Sequence, residues 1–309
     1  MRKIAIIDLG TNTFHLMIAE VENQQAHVVH KEKVAVKIGE GGINDRRIIE
    51  AAQERAIAAL LHFKQVMQGQ SVTEVYANAT SAIRNAHNSQ QITQKIKEET
   101  GIEVNVISGT EEAELIFLGV KQAMDLGSGP ASMVMDIGGG SVEIVIGNNQ
   151  NIHFRQSFEI GAQRLLDLFH KHDPMLSREV TRLENYLEEV LQPLTEAVRK
   201  YEPTTLVGSS GSFDTLSDIY CAQEGIIKIP TASEAPLTVE SYLRIHQDLL
   251  MKDKIERLAI PGMIPLRVDM IVVASCLINW VIQKYKLQHI RVSAYSLKEG
   301  ALARVLQNN

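Results

Sequence analysis

The chain opens on an apolar run, Ile4–Asp8, turns over a glycine, and is apolar again across Phe14–Val21 and Ala26–Val36. Short runs of this kind bounded by glycine and polar turns predict strands. Ile38–Asn44, with Gly39, Gly41 and Gly42, predicts a loop. Ile49, Ala52, Ala56, Leu60 and Phe63 recur at near-helical spacing, so a long amphipathic helix is expected from about Asp45 to Met67. Strands are expected at Val72–Asn78 and Val104–Ile107, with a helix at Ser89–Thr100 between them. Hairpin-joined strands followed by α-β-α-β describe an α/β unit, a mixed sheet with helices packed on it.

The second half repeats the scheme. Strands are expected at Ser132–Asp136, Val142–Gly147 and Ile152–Glu159, then helices at Ala162–His170 and Ser177–Lys200. A short strand, Thr205–Val207, leads into a glycine-serine turn, and helices follow at Phe213–Cys221, Val239–Leu250 and Met270–Lys284. His289–Val292 reads as a strand and Leu297–Leu306 as a last helix. Gln122–Pro130, with Gly127, Ser128, Gly129 and Pro130, is the one convincing linker and marks the expected hinge. The polar stretch Ile229–Pro236 reads as a surface loop.

Within this duplicated pattern a shorter one is written twice: IAIIDLGTNTFHLMIAEV near the start and MVMDIGGGSVEIVIGN near the middle. Aligned on the aspartate, Asp8 matches Asp136, Gly10 matches Gly138 and Thr13 matches Ser141. Each copy is a strand, an aspartate, a tight turn of glycine and hydroxyl, and a second strand. Such turns present backbone N–H groups and hydroxyls to an anion. The carboxylate offers oxygen to a hard cation such as Mg²⁺. One copy alone would be an ordinary hairpin; two copies facing each other would form a phosphate clamp. No G-x-x-x-x-G-K-[ST] pattern is present, and Gly138-Gly139-Gly140 leads into a strand rather than a helix, which excludes a dinucleotide fingerprint.

Bulk composition narrows the class. At 309 residues, 45% hydrophobic and 22% charged, the chain suits about two packed domains and not a disordered one. A formal net charge of −6 argues against non-specific nucleic-acid binding. Cys221 and Cys276 lie in apolar surroundings without metal spacing and read as core thiols in a reducing setting. The apolar run after Arg2 and Lys3 stops at Asp8, too short for a signal peptide, and no stretch spans a membrane, so a cytoplasmic protein is expected.

Other candidates are weighed singly. Ser108 and Glu111 have capping-box spacing, which gives Glu111 a structural task; acidic first-turn residues are favoured by ~0.3–1 kcal/mol each in any case. Glu112, outside that cap and close to the hinge, is the candidate general base. Glu143, two residues after Ser141 on an apolar strand, is either a half-exposed polar position or a metal or water ligand. Arg84, after the turn Asn78-Ala79-Thr80-Ser81, and Arg267, ahead of an apolar helix, suit phosphate contacts, against the plain alternative of surface salt bridges. Gly208-Ser209-Ser210-Gly211-Ser212 is a further candidate anion loop. For His170 and His172 a solvated helix end is the better explanation than a metal site.

These residues resemble the exopolyphosphatase and guanosine pentaphosphate phosphohydrolase (Ppx/GppA) family, within the actin, sugar kinase and Hsp70 ATPase superfamily. DLGTNTFHL at 8–16, ATSAIRNAHN at 79–88, ISGTEEAELIFLGV at 107–120 and DIGGGSVEIVIG at 136–147 carry the resemblance. IPGMIPLRVDMI at 260–271 and SLKEGALARVL at 296–306 complete it over essentially the whole chain. It implies two ribonuclease-H-like domains closing on a cleft, 1–122 with 298–309 returning to it, and 123–297. It implies Glu112 as the catalytic glutamate, Asp136 and Glu143 as metal-site acids, and Arg84 near the phosphate chain. Two departures stand out. Glu114 replaces an arginine common in relatives, removing a cation from the cleft edge. The sequence also stops at 309, short of the C-terminal helical region of longer relatives, so low processivity is expected.

The resulting expectation is Mg²⁺-dependent hydrolysis of the terminal phosphoanhydride of inorganic polyphosphate, of guanosine pentaphosphate, or both. Gly10, Thr11, Asn12 and Thr13, with Gly138, Gly139, Gly140 and Ser141, would hold phosphates beside Arg84 and Arg267. Asp136, with Glu143 and Asp8, would place the metal, and Glu112 would activate water. The alternatives are a sensor of guanosine tetra- or pentaphosphate or of polyphosphate that does not turn it over, and a superfamily ATPase or kinase. No nucleic-acid or membrane partner is expected, and a homodimer is left open.

Overall fold

A computed structural model describes residues 2–229 and 231–308. β1 (Arg2–Leu9), β2 (Thr13–Glu22) and β3 (Gln25–Ala35) form an antiparallel meander. β4 (Glu74–Ala79) lies parallel to β1 and β5 (Val104–Val106) parallel to β4, giving the order β3-β2-β1-β4-β5. α1 (Glu50–Gly69), α2 (Ser81–Arg84), α3 (Ser89–Thr100) and α4 (Gly109–Ala123) connect or follow these strands.

The second sheet repeats this order. β6 (Ser132–Ile137), β7 (Val142–Gly147) and β8 (Ile152–Phe158) form its meander, and β9 (Thr205–Ser209) and β11 (His289–Ser293) add parallel neighbours. The short β10 (Glu234–Ala235) pairs antiparallel at the edge, so the order is β10-β11-β9-β6-β7-β8. Its helices are α5 (Ala162–Phe169), α6 (Ser177–Val190), α7 (Gln192–Tyr201), α8 (Ser210–Glu224), α9 (Val239–Met251), α10 (Lys254–Leu258), α11 (Met270–Tyr285) and α12 (Leu297–Gln307). Two sheets that share a five-strand order, the second with β10 added at its edge, are the duplicated ribonuclease-H-like architecture of the actin, sugar kinase and Hsp70 superfamily.

Strand alternation explains how the two units share a core. On β1, Ala5, Ile7 and Leu9 pack outward under α1 and α3, while Ile4 and Ile6 face the other way. On β6, Met133, Met135 and Ile137 pack against the helices of the second unit, while Val134 faces inward. Ile4, Ile6, Val134, Val145 and Val207 join one buried cluster with Leu115, Ile116 and Phe117 of α4 and Leu297, Ala301 and Leu302 of α12. Both helices therefore lie where the sheets meet. Their backbones touch: a methyl on Gly300 would overlap the Leu115 carbonyl, and one on Gly119 would overlap the Ser296 carbonyl.

Several expected elements change. The first long helix begins at Glu50 rather than Asp45, because Asn88 exchanges hydrogen bonds with the Ile48 backbone and Arg46 sits at φ 53°. The helix expected over Ser177–Lys200 is two, broken at Leu191; Pro193 lacks the N–H a continuous helix would need and is accommodated in the first turn of α7. The expected loop at Ile229–Pro236 contains β10, with Pro230 outside the described residues. α2 and α10 were not foreseen, being too short to show periodicity. His170 is not solvated: its side chain is 5% exposed and sits 3.6 Å from Asp173, which the fully buried Arg257 also holds. His172 is exposed and pairs with Glu179. Both cysteines are buried and free.

Candidate active site

The alternation that builds the shared core also aims the chemistry. Asp8 follows Ile4 and Ile6 in phase, Asp136 follows Val134, Glu143 precedes Val145 and Ser209 follows Val207, so all four face the gap between the sheets. The hairpins match in register: Asp8 stands opposite His15 on β2, and Asp136 opposite Glu143 on β7. A cleft of about 80 Å³ lies there, lined by Asp8, Gly10–Thr13, Glu112, Asp136, Gly138–Ser141, Glu143 and Arg267, among others.

The two glycine turns meet face to face. A Cβ on Gly139 would collide with Asn12 and Thr11, and one on Gly140 with Ser81 and Thr11. Glycine is required here by close backbone approach, not by conformation. Arg164 ties the second turn to the loop over 38–44 of the first unit, donating to the Gly140 carbonyl at 2.7 Å and to the Ile43 carbonyl at 2.8 Å. Asp8 Oδ1, Asn12 Oδ1 and Thr13 Oγ1 are buried with no hydrogen-bond partner among the described residues. Unpartnered buried oxygens cost free energy and are a signature of a site that expects a ligand.

Glu112 stands in the first turn of α4. Ser108 caps that helix by accepting from the Glu111 N–H at 3.1 Å. The reciprocal half of the expected capping box is missing, because Arg304 of α12 draws Glu111 away at 3.1 Å. Glu112 instead accepts from Arg84 Nη1 at 2.6 Å. Burial pushes its carboxyl up to about 7, against the opposing pull of the Arg84 guanidinium. Glu143, 1% exposed, accepts from Ser157 at 2.6 Å, and burial together with the Glu112 charge holds it well above the usual carboxylate range. Asp8 is raised to about 7, chiefly by burial, with Lys298 pulling the other way. The opposing His15 is lowered by burial to about 3 and is therefore a neutral imidazole at neutral pH.

Asp136 accepts hydrogen bonds from Ser209 at 2.8 Å and from Ser296. Neither serine was singled out as a site residue, although the glycine-serine loop and the SLKEGALARVL motif that contain them both stood out. Glu159 and Arg164 were missed outright; Glu159 accepts from Ser81 at 2.8 Å and pairs with Arg164 at 3.1 Å and Arg84 at 3.5 Å. Arg267 reaches the cleft with its guanidinium against Gly211. Glu114 is not a bare acid at the cleft edge, since it brings in Arg155 at 2.9 Å and Arg304 at 3.3 Å.

Whether this pocket suits a cation can be judged from its donors. Four carboxylates line it against one arginine. Asp8 has a free oxygen, and its carboxylate is a hard oxygen donor of the kind Mg²⁺ takes. Among the described residues no three acidic, histidine or cysteine side chains converge closely enough to hold a metal alone. A Mg²⁺ ion there would be held by one or two carboxylates, with water and substrate phosphates completing its shell.

The Ppx/GppA phosphatase family model matches residues 17–309. The crystal structure of an exopolyphosphatase from Cytophaga hutchinsonii is 45% identical, with a TM-score of 0.95 over 99% of this chain and 98% of that one. The Aquifex aeolicus member of the Ppx/GppA family is 25% identical, with a TM-score of 0.80 over 100% of this chain and 99% of that one. Exopolyphosphatase 1 of Mycobacterium tuberculosis is 24% identical over 99% of this chain and 89% of its own length.

Proposed function

The chain belongs to the Ppx/GppA phosphatase family, and we propose that it hydrolyses the terminal phosphoanhydride of inorganic polyphosphate, with guanosine pentaphosphate as a second substrate. The carrying observation is the pair of glycine turns packed against each other beside Glu112 and Arg84. The terminal phosphate would lie between the turns, held by N–H groups of Gly10–Thr13 and Gly139–Ser141 and by the hydroxyls of Thr11, Thr13 and Ser141, while the Gly138 N–H closes its own turn on the Ser141 carbonyl. Glu112 would accept the proton of the attacking water. Its raised proton affinity suits that role near neutral pH, and Arg84 fixes the direction of its carboxylate.

A polyanion entering a cleft lined by four carboxylates needs a counter-cation. Asp8 and Asp136, with Glu143 behind them, are the residues proposed to hold Mg²⁺. When bound, the ion would neutralise phosphate charge and polarise the scissile group. Ser209 and Ser296 would keep the Asp136 carboxylate oriented through its other oxygen. No helix among the described residues is long and apolar enough to cross a membrane. The two free buried thiols favour a reducing, cytoplasmic setting.

The test is phosphate release from polyphosphate and from guanosine pentaphosphate side by side, with Mg²⁺ and with EDTA. Release from polyphosphate that EDTA abolishes is expected. No release from either substrate would overturn the reading in favour of a non-hydrolytic binder.

A further inference from the structure

The base and its arginine both belong to the first unit: Glu112 stands in the first turn of α4, and Arg84 ends α2. The far side of the guanidinium is held by the second unit. Arg84 Nη1 donates to Glu112 Oε2 at 2.6 Å, whereas Nη2 turns to Ser157 of β8 and to Glu159 Oε1 just beyond it, both at 3.5 Å. Glu159 uses its second oxygen as well. Oε2 accepts from Ser81 Oγ of the first unit at 2.8 Å and from Arg164 Nη2 at 3.1 Å. Arg164 in turn donates to the Gly140 carbonyl of the second glycine turn at 2.7 Å. Charges therefore alternate along one line, Glu112, Arg84, Glu159 and Arg164, and the line ends on a turn proposed to hold the terminal phosphate. The start of α4 is seated on the same strand end, since a Cβ on Gly109 would collide with Ser157.

We infer that Glu159 is a positioning residue, which sets the Glu112 carboxylate in register with the second glycine turn by joining Arg84 to Arg164 across the two units. The inference rests on the hydrolase reading and adds to it the residue of the second unit that aims the base. Glu159 does no chemistry of its own; its side chain is 44% exposed and lies outside the cleft lining. Its effect passes through geometry. Taking a proton from water requires the carboxylate oxygen within about 2.6–3.2 Å of it. Glu112 sits on one unit and the second turn on the other, so their separation depends on what ties the units together at this edge. A guanidinium is planar and rigid, so anchoring Nη2 fixes the direction from which Nη1 meets Glu112. Without Glu159 the two arginines would share no carboxylate, and Nη2 would keep only the long contact to Ser157. An exposed ion pair adds little to folding stability, so its loss should register in turnover rather than in melting.

Steady-state kinetics on polyphosphate test this, with wild type, Glu159→Ala, Glu159→Gln, Arg84→Gln and the double variant Glu159→Ala, Arg84→Gln. Glu159 is exposed in a bend after β8, so its variants should fold, which thermal melts verify. Glu159→Ala is expected to lower kcat about tenfold, less than the ~10²-fold that a 1 Å misplacement can cause, and to leave KM within about twofold. Glu159→Gln keeps one accepting oxygen and should retain more of kcat than Glu159→Ala does. In the Arg84→Gln background, Glu159→Ala should cause no further loss, because its effect passes through Arg84. A wild-type kcat in Glu159→Ala, or an equal loss with and without Arg84, overturns the inference while the hydrolase reading stands. A loss confined to KM would make Glu159 a substrate contact and overturns it too. No phosphate release by wild type overturns both together.

Discussion

Arg84 Nη1 donates to Glu112 Oε2 at 2.6 Å, joining the short helix after β4 to the first turn of α4. The contact makes two residues, each expected to act alone, into one device. The guanidinium both orients the carboxylate and opposes the rise in its proton affinity that burial imposes.

Glu112→Gln keeps the shape and much of the Arg84 hydrogen bond but removes the base. A fall in kcat of roughly 10²–10⁴-fold with KM little changed is expected. Steady-state kinetics decide it, and a kcat near wild type would remove Glu112 from the mechanism.

The same carboxyl sets a pH profile. Burial raises it to about 7, and a base works only when unprotonated, so kcat/KM should climb as pH rises through about 7 and then level off. Arg84 lowers that value, so Arg84→Gln should move the midpoint upward. A profile flat across this range in wild type would contradict the assignment.

Asp8 offers a stability readout that needs no turnover. Its folded-state carboxyl is raised from 3.8 to about 7, so the fold binds that proton more tightly than the unfolded chain does. The stability it confers is complete below 3.8 and is lost as pH rises through about 7. Asp8→Asn has no such loss, and metal-free melts should show it gaining on wild type over that window. Adding Mg²⁺ at higher pH should raise the melting temperature of wild type and not of Asp8→Asn. Equal responses of the two proteins would take Asp8 out of the metal site.

Gly300→Ala tests the helix crossing. Its methyl would overlap the Leu115 carbonyl, and overpacking of this kind costs ~1–3 kcal/mol or more. Melting temperature should drop by several degrees, and activity should fall with it because Ser296, at the head of the same helix, would be displaced from Asp136. A variant that melts and works like wild type would show that the helices can separate freely.

Much of this was legible in the sequence, because local chemistry was written there twice. The matched aspartates and glycine turns gave the two hairpins, and period-two alternation already places Asp8 and Asp136 on the faces opposite Ile7 and Ile137. Encounters between distant segments were not legible. Nothing near Arg84 announces a partner 28 residues on, and nothing near Asp136 announces Ser296, 160 residues away. Glu111 misled for the same reason: the local capping pattern was real, but Arg304, 193 residues away, outbid it. The late start of α1 likewise depends on Asn88, far along the chain.

The cluster shared by β1, β6, α4 and α12 also bears on synthesis. A ribosome delivers Ile4, Ile6, Leu115 and Phe117 early, yet the strand residues Val134, Val145 and Val207 that cover them come later, and Leu297 and Leu302 come last. A nascent chain carrying only the first sheet therefore displays an uncovered apolar face, the kind of surface that invites aggregation or a chaperone. The Asp136 carboxylate gains its Ser296 hydroxyl only when that final helix docks. Stalled or proteolytically shortened chains would be sticky and inactive together, so the cell would meet this enzyme either whole or as a target for clearance.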